Sequence, residues 1–268
     1  MRVGVLGLGE AGSLIAADLA RVGDEVHGCD PSQVPTPPGV ERHARPDAAV
    51  DGCELVLAVT PGSQARAALD GVLDALGGEA VYADLSTGSP ALKEELATVV
   101  AGRGPLFADV ALMSPVPGRG LSAPALVSGS GATQFADLIN GRGGNVEVVG
   151  TRAGEAATRK LLRSVVMKGL AALLIESMEA ARHAGKAEWL WDHLIAELTS
   201  LDAAMLRRLL LDTAPHAGRR LDEMKAAEEL LVELAVPAHM TTATIAHLER
   251  LLTEDTPESR LSSPSPEA

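Results

Sequence analysis

The chain has 268 residues, 46% of them hydrophobic but only 2% aromatic, and 23 Lys and Arg against 36 Asp and Glu leave a formal net charge of −13. That length allows one large or two modest domains, and the scarcity of rings makes the core aliphatic. A negative field of this size repels phosphate backbones and anionic lipid, and two Trp, one Tyr and two Phe cannot build base-stacking platforms, so no nucleic acid and no membrane surface is expected as a partner.

The opening Met1-Arg2-Val3-Gly4-Val5-Leu6-Gly7 is shorter in its apolar run than a signal-peptide core and leads straight into a glycine turn, so it reads as the first strand of a cytoplasmic protein. Up to about residue 150, strand-like runs at 3–6, 25–29, 55–59, 80–84, 106–110, 125–127 and 146–149 alternate with Ala- and Leu-rich helical stretches. Alternation of this kind predicts an α/β fold, a Rossmann-type doubly wound and mainly parallel sheet. From Thr151 onward strand signals stop and helical spacing takes over at Leu161, Leu162, Val165, Val166, Leu170, Leu173, Leu174 and Met178. One helix is predicted over 154–184 with Gly185 as its stop, long enough to join two domains, and others near 187–198, 201–211, 216–234 and 237–252. The most apolar stretch, 161–175, is interrupted by Arg163, Ser164 and Lys168 and falls short of a membrane span. The expected organisation is a dinucleotide-binding domain over 1–150, an all-α domain over 151–252 hung on the long helix, and a disordered Pro- and Ser-rich tail over 253–268. Cys29 and Cys53, both read as strand residues, are expected to be inert buried thiols, and no metal site is expected.

Gly7-Leu8-Gly9-Glu10-Ala11-Gly12 fits G-x-G-x-x-G between a predicted strand and a predicted helix, and a second strand ends in Asp30, 23 residues after Gly7. That context is what the motif requires: glycines for the turn, for approach of a pyrophosphate to backbone N–H groups and for close packing, with an acidic side chain for the adenine ribose. No Arg or Lys lies between Gly28 and Val40 to offset the repulsion of a 2′-phosphate by Asp30, so NAD is favoured over NADP, a preference that Arg42 or Arg45 would weaken by folding back. Two further strand ends open on the same crevice, Val59-Thr60-Pro61 and Asp84-Leu85-Ser86-Thr87-Gly88-Ser89-Pro90. Ser89 is a ready helix cap before Pro90, whereas Ser86 and Thr87 are candidates for the nicotinamide ribose or the substrate.

With these motifs and the stretch Gly154…Lys160, the chain resembles the β-hydroxyacid dehydrogenase superfamily, which includes 3-hydroxyisobutyrate dehydrogenases and relatives of 6-phosphogluconate dehydrogenase. The resemblance covers about residues 1 to 250 and implies a Rossmann domain, a helical second domain that dimerises, and a lysine acid/base on the long helix. Lys160 occupies the place of that lysine, and Glu176 and Gly185 fall 16 and 25 residues after it, where relatives carry Glu and Gly. Three departures point to a phosphogluconate-dehydrogenase-like subgroup of open substrate preference. Ser164 replaces an Asn; the substrate loop becomes Asp109-Val110-Ala111-Leu112-Met113-Ser114-Pro115-Val116-Pro117-Gly118, whose prolines offer no N–H; and a late Lys-Asp pair gives way to His216-Ala217-Gly218-Arg219-Arg220.

Oxidising an alcohol releases a proton as well as a hydride, and a lysine whose ammonium is disfavoured by burial can take that proton. Lys160, Ser164 and Lys168 share one helix face at i, i+4 and i+8, with a rise of roughly 6 Å per step, and are the candidate catalytic residues. Lys168, set among Val165, Val166, Leu170 and Leu173, is expected to bind a substrate anion or to pair with Glu176 or Glu179. Ser114 and the Arg219–Arg220 pair are candidate substrate contacts, the arginines competing with Asp222 and Glu223 along their own helix. The activity expected is NAD-dependent interconversion of a small β-hydroxy acid and its carbonyl form. The alternatives are an imine reductase on the same scaffold, against which the presence of Lys160 counts, and a dinucleotide-binding regulator without turnover.

Overall fold

The computed structural model describes residues 1–253 and divides into two compact units, Met1–Ser164 and a second that begins at Val165. The first is built on β1 (Arg2–Leu6), β2 (Glu25–Cys29), β3 (Val40–Arg42), β4 (Leu55–Ala58), β5 (Val81–Asp84), β6 (Leu106–Leu112), β7 (Ala125–Ser128) and β8 (Val146–Gly150). They form one sheet in the order β3-β2-β1-β4-β5-β6-β7-β8, parallel except between β6 and β7. The chain leaves β1 towards β2 and β3 and then crosses to β4 on the other side, so the order reverses at β1 and β4. In open sheets of this kind ligands bind at the carboxyl ends of the strands flanking that reversal.

The connecting helices are α1 (Glu10–Arg21), α2 (Pro46–Val50), α3 (Ala65–Asp70), α4 (Pro90–Ala101) and α5 (Ala132–Asn140). Strands β1, β4 and β5 are buried almost throughout, which is why their sequences read as continuous apolar runs rather than alternating ones. Two aliphatic clusters cover the two faces of the sheet, one around Val3, Leu19, Leu57 and Phe135, the other around Val50, Leu69, Tyr82 and Leu96. Arg142 fastens the end of α5 to Asp24, before β2, with Nη2 2.8 Å from Oδ1.

α6 (Glu155–His183) starts in the first unit and continues into the second, where α7 (Ala187–Thr199), α8 (Ala203–Leu211), α9 (Ala217–Glu233) and α10 (His239–Thr253) follow. α9 and α10 share a small core of Ala217, Leu221, Ile245, Leu248 and Leu251. The buried Glu176 carboxylate accepts hydrogen bonds from the Met240 and Thr241 N–H groups and the Thr241 hydroxyl, so it caps α10 from the side of α6.

The α/β reading and the predicted helices stand, with ends displaced by a residue or two. Strand β3 was not expected: three residues with one apolar side chain carry little pattern, and pairing with β2 rather than alternation makes it a strand. Cys53 is not in a strand but in the turn before β4; both thiols are free and buried, and burial pushes that of Cys53 up to about 11. Of the expected tail, Thr253 ends α10 and the remainder lies outside the described residues. Among the described residues no helix is long and apolar enough to cross a membrane.

Candidate active site

The turn from β1 into α1 shows why its glycines stand where they do. Gly7 has φ +95°, and a Cβ there would lie 2.3 Å from the Val59 carbonyl oxygen. A Cβ on Gly12 would lie 2.0 Å from the Gly7 carbonyl oxygen, so helix and strand pack closely at that point. Gly9 is different, because no heavy atom lies within 4 Å of where its Cβ would stand. α1 begins there without a side-chain cap, leaving first-turn N–H groups and the positive end of the helix dipole for an anion. An open groove of about 450 Å³ bounded by Gly9, Ser13, Leu14, Val34 and Pro37 runs alongside, and the buried Thr60 hydroxyl has no hydrogen-bond partner among the described residues. This cradle fits a dinucleotide pyrophosphate.

At the end of β2, Asp30 Oδ2 accepts from the Leu8 N–H and Oδ1 from the Ser32 N–H, each at 2.7 Å, which holds the carboxylate against the fingerprint. Arg42 does fold back: its guanidinium donates to the carbonyls of Asp30 at 3.1 Å, Ser32 at 2.6 Å and Val34. Arg45 instead pairs with Asp47.

From the fingerprint the carboxyl edge of the sheet is continuous to Lys160. Gly7 abuts Val59, Gly62 packs so tightly on Thr87 that a Cβ would lie 2.4 Å from its carbonyl oxygen, and Lys160 Nζ donates to Thr87 Oγ1 at 3.0 Å. Ser86, Thr87, Gly88, Ala157 and Lys160 line one narrow cleft. Ser164 is half-buried one turn further along α6.

Beneath this cleft lies a charged cluster that the sequence reading missed. Lys93, on α4, is 1% exposed; its ammonium donates to Asp84 Oδ2 at 2.8 Å and to the carbonyls of Asp84 and Ser86, and lies 3.3 Å from Asp109 Oδ1. Asp84 also accepts from the Ser86 N–H and hydroxyl, which sets the turn that presents Thr87. Asp109 Oδ2 accepts from the Gly154 and Ala157 N–H groups at the start of α6 and from the Ser128 hydroxyl, which in turn accepts from the Ala156 N–H. One ammonium thus faces two carboxylates, and the N-terminus of α6 supplies positive potential to the second. Lys93 therefore ties the turn carrying Thr87 to the start of the helix carrying Lys160. Its signal was present: Lys93 falls on the spacing of the apolar positions Leu96 and Val100, and Asp84 and Asp109 are register partners on adjacent strands.

The other predicted residues have the following surroundings. Lys168 is exposed, as are Val165 and Val166 beside it, so it is not in an apolar interior, and the carboxylate of Glu176 is engaged with α10 rather than with a lysine. Arg219 pairs with Glu223 on its own helix at 3.4 Å, while the buried Nε of Arg220 has no hydrogen-bond partner among the described residues. The Ser114 hydroxyl donates to the Pro115 carbonyl.

Residues 2–123 match the NAD binding domain of 6-phosphogluconate dehydrogenase, and residues 181–251 match a domain of unknown function, DUF1932. A conserved hypothetical protein from Sinorhizobium meliloti is 29% identical, with TM-score 0.61 over 96% of this chain and 91% of that one. The conserved protein MTH1747, described as structurally similar to 3-hydroxyacid dehydrogenases, is 28% identical, with TM-score 0.60 over 94% and 96%. A reductive aminase from Aspergillus terreus, solved with NADPH and ethyl levulinate, shares the fold at TM-score 0.81 over 97% of each chain but only 20% identity. With the fingerprint and the reversal at β1 and β4, these matches make residues 2–123 an NAD-binding domain of the 6-phosphogluconate dehydrogenase type, and they support the likeness of the chain to the β-hydroxyacid dehydrogenase superfamily.

Proposed function

We propose that the chain is a nicotinamide-dependent oxidoreductase that interconverts a small hydroxy acid and its carbonyl form, with Lys160 as the acid/base. The observation that carries this reading is the Lys160–Thr87 hydrogen bond at the carboxyl edge of the sheet, in line with the fingerprint. A bound dinucleotide supplies or accepts the hydride. Lys160 Nζ takes the proton of the substrate hydroxyl in one direction and returns it in the other, with Thr87 holding the amine in place and Ser164 one turn away on the same face of α6. Lys168, eight residues beyond Lys160 on the same helix, is the candidate contact for the substrate's anionic end. For the cofactor, Asp30 favours NAD(H); Arg42 folds back beside it, which weakens that preference, but its donors are engaged by the carbonyls of Asp30, Ser32 and Val34.

Reduction of a C=N bond uses the same hydride and is the second reading, favoured by the likeness of fold to the reductive aminase. Following reduced-nicotinamide absorbance across panels of hydroxy acids, keto acids and imines separates the two. Turnover of hydroxy acids that falls by about 10²- to 10⁴-fold in Lys160→Met, with NADH affinity unchanged, supports the proposal. Turnover of imines alone, or tight NADH binding with no turnover on any panel, overturns it. Calorimetric titration should show NADH binding at least about tenfold tighter than NADPH, roughly 1.4 kcal/mol, with the preference relaxed in Asp30→Ala. Equal or tighter NADPH binding refutes the cofactor assignment.

We further propose a homodimer formed through the helical unit, because Val165, Ile175, Trp189 and Val232 leave large apolar surfaces exposed within the chain.

A further inference from the structure

At the β3 edge of the sheet, away from the fingerprint, four polar side chains converge on one face. His27 on β2 stands in register with Glu41 on β3; Glu25 precedes His27 by two residues and His43 follows Glu41 by two, so strand alternation brings all four to the same side. His27 is 2% exposed, an unusual place for an imidazole. Its Nε2 lies 2.9 Å from Glu25 Oε1, and since an ionised carboxylate only accepts, that nitrogen carries the hydrogen. In the neutral imidazole the other ring nitrogen, Nδ1, is then an acceptor, 2.8 Å from His43 Nε2 and 3.7 Å from Glu41 Oε2. Glu41 Oε1 lies 3.7 Å from His43 Nε2, and the three candidate ligand atoms fall within 4.8 Å of one another.

We propose that His27 Nδ1, His43 Nε2 and a Glu41 carboxylate oxygen form a site for a divalent transition-metal ion of the zinc class. Two imidazoles and a carboxylate are the donor set such ions prefer over magnesium or calcium. Ligand atoms in a tetrahedral zinc site sit about 3.3 Å apart, given bonds near 2.0–2.1 Å. The two nitrogens, 2.8 Å apart, reach that value by a shift of roughly half an ångström, and rotation of the exposed Glu41 carboxylate, whose two oxygens each lie 3.7 Å from a different imidazole nitrogen, brings one oxygen to both, with the His43 hydrogen moving to its Nδ1. Glu25 behind His27 is the outer carboxylate that metal-bound histidines characteristically use to fix their tautomer. The Glu41 side chain is 66% exposed, so water can complete the coordination shell. A metal here would clip the three-residue edge strand β3 to β2, and so hold Arg42, which lies between the two β3-side ligands and secures the loop after Asp30.

The test uses the full chain, freed of metal with a chelator and titrated with Zn²⁺ against a chromophoric competitor, then with Co²⁺ to read visible d–d bands. One site per chain of micromolar or tighter affinity is expected, weakened at least tenfold in both His43→Ala and Glu41→Gln and unchanged in His247→Ala on α10. Glu25→Gln, which leaves all three ligands, should still weaken binding by about 10- to 100-fold. Because His43 and Glu41 are more exposed than His27, these variants are chosen in place of His27→Ala, and matched circular dichroism spectra establish folding. No site in the wild type, or one that survives both His43→Ala and Glu41→Gln, overturns the proposal.

Discussion

In the sheet unit the unusual burials are polar, with Lys93, Asp84 and Asp109 at most 1% exposed; in the helical unit the unusual exposures are apolar, with Val165 at 73% and Val232 at 71%. The first pattern belongs to a unit complete in itself. Its buried charges are offset by one another, by backbone groups and by a helix end, so nothing outside the unit is needed to satisfy them. The second is the pattern of a surface that its own helices leave uncovered, and an apolar side chain on a helix gains stability only when something covers it. Buried charge in one unit fixes Thr87 and Lys160 in place, and the bare aliphatic surface of the other is where the proposed dimer would form.

Replacing Lys93 should break that contrast most severely. Lys93→Met strands two buried carboxylates, and removal of one partner of a buried pair costs about 3–5 kcal/mol. Chemical denaturation should show that loss in the sheet unit. If the positioning argument holds, any folded fraction should also lose kcat more than NADH affinity. A variant as stable as the wild type would show that the cluster is not needed to hold the turn and the helix together.

Assembly comes next. Sedimentation at micromolar concentration should give a dimer for the wild type and a monomer for the double variant Val165→Glu, Ile175→Glu. A wild-type monomer would mean that the helical unit tolerates its apolar surface uncovered, and the comparison would lose its second half.

The smallest effect is expected at Glu176. Its burial works against ionisation, but the N–H groups of Met240 and Thr241 and the Thr241 hydroxyl outweigh that and hold its carboxyl below the usual range. A lowered carboxyl pKa contributes stability that is complete above the unfolded value of about 4.3 and is lost as pH falls through the folded value. Glu176→Gln should therefore cost about 1–3 kcal/mol near neutrality. The difference from wild type should shrink below about pH 4.3, as the native carboxylate takes up its proton. A constant difference from pH 7 to pH 3 would show that the loss comes from packing rather than charge.

Much of the sheet unit was legible because its signals are local. A glycine pattern after a strand, an acidic residue at the next strand end and continuous apolar runs each follow from backbone geometry within a few residues, so the fingerprint, Asp30 and the mainly parallel sheet could be read directly. Lys160 was reached by resemblance, and its neighbour Thr87 by its place at a strand end. Lys93 was not read because its meaning is tertiary: on α4 it is one charge at an apolar position, and only pairing of β5 with β6 brings Asp84 and Asp109 together to receive it. The same applies to His27 and His43, 16 residues apart and joined through the register of a strand too short to announce itself. Lys168 shows the converse, since helical spacing placed it among apolar neighbours but could not say that those neighbours would be exposed. Local periodicity determines which residues share a face. What that face meets, whether core, counter-charge or solvent, depends on contacts between distant segments and was decided only by the packing of sheet and helices.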